Sequence, residues 1–395
     1  MTANFSNKAA IVGVANTDFS KNSGRSELQL AAECVRDALI DAGLTPNDVD
    51  GMVTFTMDTS DEIEVSRAVG IKDLSFYSRV PHGGGAATGC LHQATMAVAS
   101  GAAEVVVVYR AINGRSGHRY SEGVAGDIMT SDAIHWGWYT PFGLLTPASW
   151  VAMHAQRYIH ENNVDTNAFF EVAKTFRDYA STNPAALFHG QAFDKNEYDS
   201  QKDIVSPLKL YDCCLESDGG SAIIVTTPEK AKALQAKGIK GVLVNGVGQS
   251  ASANMESMTS FYHQDADSPT PEMDNAAAQA YAQSGLSADD IDAAVIYDAF
   301  TPTVLWQLES WGFCDKGRAD DFVLAGNLGP NGRLPTNTNG GQLSEAYIHG
   351  INGIVEAVQL VRGNSVNQPS KSINHVLVTS GAGVPTGGAI LGKLI

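Results

Sequence analysis

In the stretch NTNGGQLSEAYIHGING, Asn337 to Gly353, two titratable side chains stand where a Gly-rich loop runs into a helical pattern: Tyr347 and His349. Glycines let backbone approach a ligand closely. A helix start adds free amides and the positive end of the dipole, which favour a phenolate or an enolate. A phenol has a pKa of about 10, so a tyrosine acts unaided as an acid near neutrality but needs donors or positive charge to act as a base. Tyr347 is placed to receive both. His349 follows two residues later, a spacing that points the two side chains apart on a helix. A second Gly-rich turn, GGGAATGCLH, carries Cys90 near another helix start, where a thiolate would be stabilised, although free cysteine is also among the most buried residue types. His82 and His92 flank that turn and read as structural histidines.

These groups need elements to hold them, and the composition is that of a compact soluble chain. It has 395 residues, 44% hydrophobic and 17% charged, enough for two domains or one large layered α/β unit. A net charge of −17 with no Lys/Arg run argues against nucleic acid and anionic lipid partners. An anionic ligand such as coenzyme A would need a local basic rim, which a partner could lend. The five cysteines, Cys34, Cys90, Cys213, Cys214 and Cys314, are odd in number and lack metal-ligand spacing. With no membrane-length apolar segment and no signal-like start, a cytoplasmic location is expected.

Three pairs of segments recur in the same order. KAAIVGVANT (Lys8 to Thr17) resembles KGVLVNGVGQS (Lys240 to Ser250), and DAGLTPNDVDGMV (Asp41 to Val53) resembles QSGLSADDIDAAV (Gln283 to Val295). The Gly-rich turns and helices from Gly83 to Gly101 and from Gly340 to Gly363 form the third pair. Each half thus reads as strand, helix, strand, Gly-rich turn, helix, strand, closed by EVVVVYR (Glu104 to Arg110) and NHVLVTSG (Asn374 to Gly381). The expected fold class is α/β, with mixed or parallel sheets covered by helices and the two Gly-turn helices buried side by side. The halves divide as 1–238 and 239–395. Residues 111–211 read as an irregular, aromatic-rich insertion with two helix-like stretches. Its His135, Trp136, Trp138, Tyr139 and Phe142 are suited to line a pocket for a flat apolar substrate, to form a core, or to meet a dimer partner.

Duplicated halves with a Gly-rich turn before each central helix resemble the thiolase superfamily over essentially the whole chain. The resemblance implies two βαβ-type halves in a layered αβαβα arrangement. It also shows what has been replaced. Gly85 or Ala86 lies where the family's nucleophilic cysteine would be, Tyr347 stands at the histidine of Gly-His-Pro, and Tyr297 in VIYDAFTP stands at the histidine of His-Asp-Cys-Phe. Ser380 and Gly381 occupy the place of the second cysteine.

Paired tyrosines without cysteines are similar to the thiolase-like lipid-transfer proteins, and among them to the steroid side-chain aldolases of bacterial cholesterol catabolism. The resemblance implies retro-aldol cleavage of a β-hydroxyacyl-CoA with a three-carbon side chain, giving propionyl-CoA and a ring ketone. No cofactor is required, coenzyme A being part of the substrate. A homodimer with an OB-fold acyl-CoA-associated partner, forming a heterotetramer, is implied with it. Such cleavage needs a base for the β-hydroxyl, donors for the thioester enolate and an acid to protonate it. Tyr347 is expected as base or hydroxyl-binding group and Tyr297 as acid, or the reverse. Asp298 either orients a neighbour or a water, or caps a turn. His349 is a candidate donor to the thioester oxygen. Gly85, Ala86, Gly340, Gly341, Ser380 and Gly381 are expected along the substrate. The rival readings are a non-catalytic acyl-CoA or sterol carrier of the same fold and a thiolase using Cys90.

Overall fold

The computed structural model describes residues 4–81, 83–117, 119–122, 137–253, 270–381 and 386–394. In chain order its strands are β1 (Ala10–Asn16), β2 (Gly51–Phe55), β3 (Phe76–Val80), β4 (Val105–Asn113), β5 (Asp203–Val205), β6 (Leu208–Lys209), β7 (Asp218–Thr226), β8 (Val242–Ser250), β9 (Ala293–Val295), β10 (His375–Ser380) and β11 (Thr386–Lys393). β5 and β6 form a separate hairpin, and the other nine make one mixed sheet in the order β3-β2-β4-β7-β1-β8-β11-β10-β9.

The pairing rules repeat along that order. β1 is antiparallel to β7, β7 to β4, and β4 is parallel to β2. Likewise β8 is antiparallel to β11, β11 to β10, and β10 is parallel to β9. The sets join through β1 and β8, where Ala10 meets Leu243 and Ile11 meets Val242. Among the described residues β3 has no counterpart. Its FYSRV sequence alternates partly buried with exposed residues, as an edge strand does, which is why an apolar-run reading passes over it.

Alternation within the strands builds the layers. Ile11, Val106, Val108, Val376 and Val378 face a core shared with the helices Ala86–Ser100 and Ile351–Arg362. Their neighbours Ala10, Val12, Val105 and Val107 face the helix Glu27–Asp41 instead, and Leu377 faces the helices Asn167–Thr182 and Thr301–Ser310. Two central helices therefore lie between sheet faces that are covered on the outside by further helices, the αβαβα arrangement. Those central helices meet closely at their starts, where a Cβ on Gly350 would stand 3.6 Å from that of Ala87.

The insertion is more regular than its composition suggests. Its described part holds three helices, Pro147–Asn162, Asn167–Thr182 and Lys195–Ser200, and the hairpin β5–β6. Of the pocket, core and dimer-contact roles open to the aromatic run, the core role is corrected at two positions. Trp138 and Phe142 are 75% and 83% exposed beside the short turn Thr140–Phe142, while Trp150 takes the buried place and donates its indole N–H to Leu144 O at 3.2 Å. His135 and Trp136 lie outside the described residues.

Candidate active site

β9 stops after three residues because its continuation is clamped by side chains rather than by a neighbouring strand. Asn337, itself at φ 52°, accepts from Ile296 N at 2.7 Å and donates to Ile296 O at 2.9 Å. Tyr297 N donates to Thr379 Oγ1 at 3.0 Å, and Tyr297 O accepts from Gln307 Nε2 at 2.7 Å. The Tyr297 backbone is thus fixed from β10 and from the helix Thr301–Ser310, and its ring is nearly buried.

Asp298 takes the second of the two roles foreseen for it. Its carboxylate accepts from the backbone amides of Gln342 at 2.8 Å and Leu343 at 3.1 Å, holding the turn that opens with Gly340 and Gly341. Burial raises its pKa to about 7 against the pull of those amides. A Cβ on Gly341 (φ 62°) would run into the Asp298 carboxylate, and one on Gly340 (φ 111°) into Ala180. Both glycines are buried points where backbone closely approaches other parts of the protein.

Tyr347 is not at a helix start. It lies in an irregular strap between the short helix Gly341–Ser344 and the helix Ile351–Arg362, whose cap is Gly350. The dipole argument for a phenolate therefore fails, and a different donor replaces it: the Tyr347 and Tyr297 hydroxyls are hydrogen-bonded at 2.9 Å. Tyr347 is anchored by Ser217, whose Oγ accepts from Tyr347 N at 2.7 Å. His349 is brought to the same place. At φ 51°, outside any helix, it turns its ring to within 4.8 Å of the Tyr347 ring, edge to face, where helical spacing would have parted them.

The first Gly-rich turn closes over this group. A Cβ on Gly84 would land on the Tyr297 hydroxyl, one on Gly350 would come within 3.0 Å of the Tyr297 ring, and one on Gly83 within 3.1 Å of His349 Nε2. Gly85 caps the helix that Ala86 begins. Ser380 hydrogen-bonds to Thr88 and donates to Gly85 O at 3.2 Å, and Gly381 (φ 76°) packs against the Gly85 backbone. Ser380 thus ties the two halves together beneath the turn.

Cys90 is fully buried one turn into the helix, with its thiol directed at Thr54 O, 3.5 Å away, and burial pushes its pKa well above the ordinary value. A thiol so placed is a poor nucleophile. His92 packs edge-on against Phe5, its pKa lowered by burial, and His82 lies outside the described residues.

Sequence reading missed the groups behind the site. Arg110 is 1% exposed, forms an ion pair with Asp58 at 2.5 Å, and donates from Nε to His349 Nδ1 at 3.1 Å. The available signal was a lone arginine inside an apolar strand, a position that demands buried partners. Burial, helped by the Arg110 charge, holds the His349 pKa well below its usual range.

Chemically, two phenols in one hydrogen bond can pass a proton: when either loses it, the other remains as donor to the phenolate. A neutral histidine and a Gly-lined turn lie beside them.

Residues 252–391 match the family described as Thiolase C-terminal domain-like. The chain is 54% identical to a steroid side-chain-cleaving aldolase of Thermomonospora curvata, over 97% of each chain. It is 50% identical to the 17-hydroxy-3-oxo-4-pregnene-20-carboxyl-CoA lyase of Mycobacterium tuberculosis, over 98% of this chain and 100% of that one. Among solved structures, the Ltp2-ChsH2(DUF35) aldolase superposes with a TM-score of 0.93 at 52% identity, covering 99% of both chains. Human mitochondrial 3-ketoacyl-CoA thiolase shares the fold, with a TM-score of 0.70 at 14% identity over 99% of this chain and 100% of that one.

Proposed function

The chain belongs to the steroid side-chain-cleaving aldolases of the thiolase superfamily, and we propose that it cleaves a β-hydroxyacyl-CoA, a steroid-CoA with a three-carbon side chain, into a ring ketone and propionyl-CoA. The observation that carries this reading is the pair of tyrosine hydroxyls 2.9 Å apart, at the two positions that align with histidines in thiolases.

In the step itself, one phenol, as its phenolate, takes the β-hydroxyl proton. The bond between the α and β carbons breaks, the β carbon becomes the ketone, and the electron pair passes to the thioester enolate. The other phenol then protonates the α carbon. Tyr297 and Tyr347 supply base and acid in either order, and His349 donates to the thioester oxygen. Asp298 holds the Gly340–Gly341 turn that carries the Tyr347 strap. No covalent intermediate is formed, so neither a nucleophile nor a cofactor is required.

The similar solved aldolase is named Ltp2-ChsH2(DUF35), which supports a DUF35 partner for this chain; an OB-fold in that partner, a heterotetramer built on a homodimer and a cytoplasmic location are proposed with it from the family resemblance. The repeated pairing order supports a division into halves 1–238 and 239–395.

The deciding assay supplies a tertiary β-hydroxy steroid-CoA, with and without the OB-fold partner and without free coenzyme A, and follows both products by chromatography. Ketone and propionyl-CoA in equal amounts are expected. Substrate that binds and survives even with the partner overturns the reading in favour of a carrier.

A further inference from the structure

Phenols alone account for the proton transfers of a retro-aldol step, which leaves the buried Arg110–Asp58 pair behind them without a task. Arg110 sits in β4 and Asp58 in the segment that follows β2. Asp58 also accepts from Phe55 N at 3.2 Å, so the guanidinium is braced against a carboxylate that the backbone itself holds. Its Nε points the other way, to His349 Nδ1.

A guanidinium only donates, so that hydrogen bond has one sense, and the Nδ1 that accepts it carries no proton. The single proton of a neutral imidazole must then lie on Nε2, the atom facing Gly83 and the site turn. His349 also keeps a left-handed backbone conformation, unusual for a non-glycine residue and one that persists where surroundings over-determine it. Phe55 stacks on the imidazole with ring centroids 6.3 Å apart, and the guanidinium lies 5.0 Å from the Phe55 ring centre. Ring and tautomer are both held from the Arg110 side.

We propose that Arg110, braced by Asp58, is a positioning residue for the cleavage: it locks His349 as the Nε2–H tautomer, which gives that N–H to the thioester oxygen as negative charge gathers there. The inference rests on the retro-aldol reading for its chemistry but not for its tautomer. Among the described residues, Arg110 from β4 is a charge facing His349, with Asp58 behind it, Tyr347 on the same strap, Tyr297 beyond, and the Cys90 thiol near Asp58 and Arg110 from the central helix. Burial, then the Arg110 charge, favours the neutral imidazole.

The test has two arms on the full chain with its partner. In ¹⁵N-histidine spectra, with His349 assigned by loss of its signals in H349N, the wild-type ring should show Nε2–H and bare Nδ1 from pH 5 to 8. The double variant R110M/D58N removes the ion pair without stranding a buried carboxylate; its ring should take mixed tautomers and titrate nearer pH 6.5. In kinetics, that variant should lose about 10- to 100-fold in kcat with KM nearly unchanged, as for a misplaced oxyanion donor. Adding it to H349N should cost less than about twofold more, since the two act as one unit.

A wild-type proton on Nδ1, or ordinary titration near pH 6.5, overturns the lock. Losses that multiply in the combined variant overturn the coupling and leave Arg110 a packing residue. If R110M/D58N does not fold, R110K and R110Q carry the same two readouts. If the wild type cleaves nothing, the retro-aldol reading and the catalytic half of this one fall together, while the spectra still decide the tautomer.

Discussion

A hydrogen bond joins Tyr297 and Tyr347, at two positions that align with histidines in thiolases. Each phenol is the other's donor, so removing either hydroxyl disables both. Tyr297→Phe and Tyr347→Phe should each lower kcat by about 10²- to 10⁴-fold with KM changed only a few-fold, and the double variant should be little worse than the weaker single. Steady-state kinetics on the steroid-CoA substrate checks this, and losses that multiply would show two independent roles. Cys90→Ala tests the thiolase alternative at the same scale. Because the thiol is buried against Thr54 O, kcat should be unchanged within about twofold, and a collapse of activity would restore cysteine chemistry.

At the scale of elements, the site is made by three pieces of chain that end regular structure: the residues after β9, the strap before the helix Ile351–Arg362, and the Gly-rich turn before the helix Ala86–Ser100. Their close approach needs glycine at Gly84, where any Cβ would meet the Tyr297 hydroxyl. Gly84→Ala should push the phenols out of register, and misplacement of about 1 Å costs on the order of 10²-fold in rate. The thermal midpoint should hardly move, since Gly84 is only partly buried at the edge of the turn. Retained kcat with a lowered midpoint would reverse that assignment.

Across the whole molecule, the interior holds carboxylates whose burial favours their protonated form. Asp298 and Glu356 are raised to about 7 and Glu345 to about 8. Glu356 accepts from Thr338 and, at 2.6 Å, from Ser365. Its pKa in the folded chain lies above the unfolded value, so the native state binds more protons between about pH 4.5 and 7. The stability it contributes is complete below that window and is lost as pH rises through it. Glu356→Gln keeps an acceptor for both hydroxyls and removes the titration. The variant should gain on the wild type by about 1–3 kcal/mol on going from pH 5 to pH 8. Denaturant midpoints at the two pH values measure this, and a constant difference would show that Glu356 folds already ionised.

The duplication and the α/β class were legible in the sequence, because apolar runs, Gly-Leu-Ser/Thr helix ends and Gly-rich turns are local signals that survive without a partner in view; the pairing of Tyr297 with Tyr347 as acid and base was an expectation from the family resemblance. The sequence also marked Cys90 and the aromatic run, where type alone was ambiguous. Only tertiary structure decided that Cys90 faces a carbonyl inside the core and that Trp138 and Phe142 face solvent. It alone turned His349 back toward Tyr347, because a left-handed residue in an irregular strap breaks the periodicity on which side-chain direction is read. It alone paired Tyr297 with Tyr347 across 50 residues and Arg110 with His349 across 239. Residue types and local pattern are written along the chain, whereas a hydrogen bond between distant segments exists only once packing has fixed both backbones within 3 Å or so of one another.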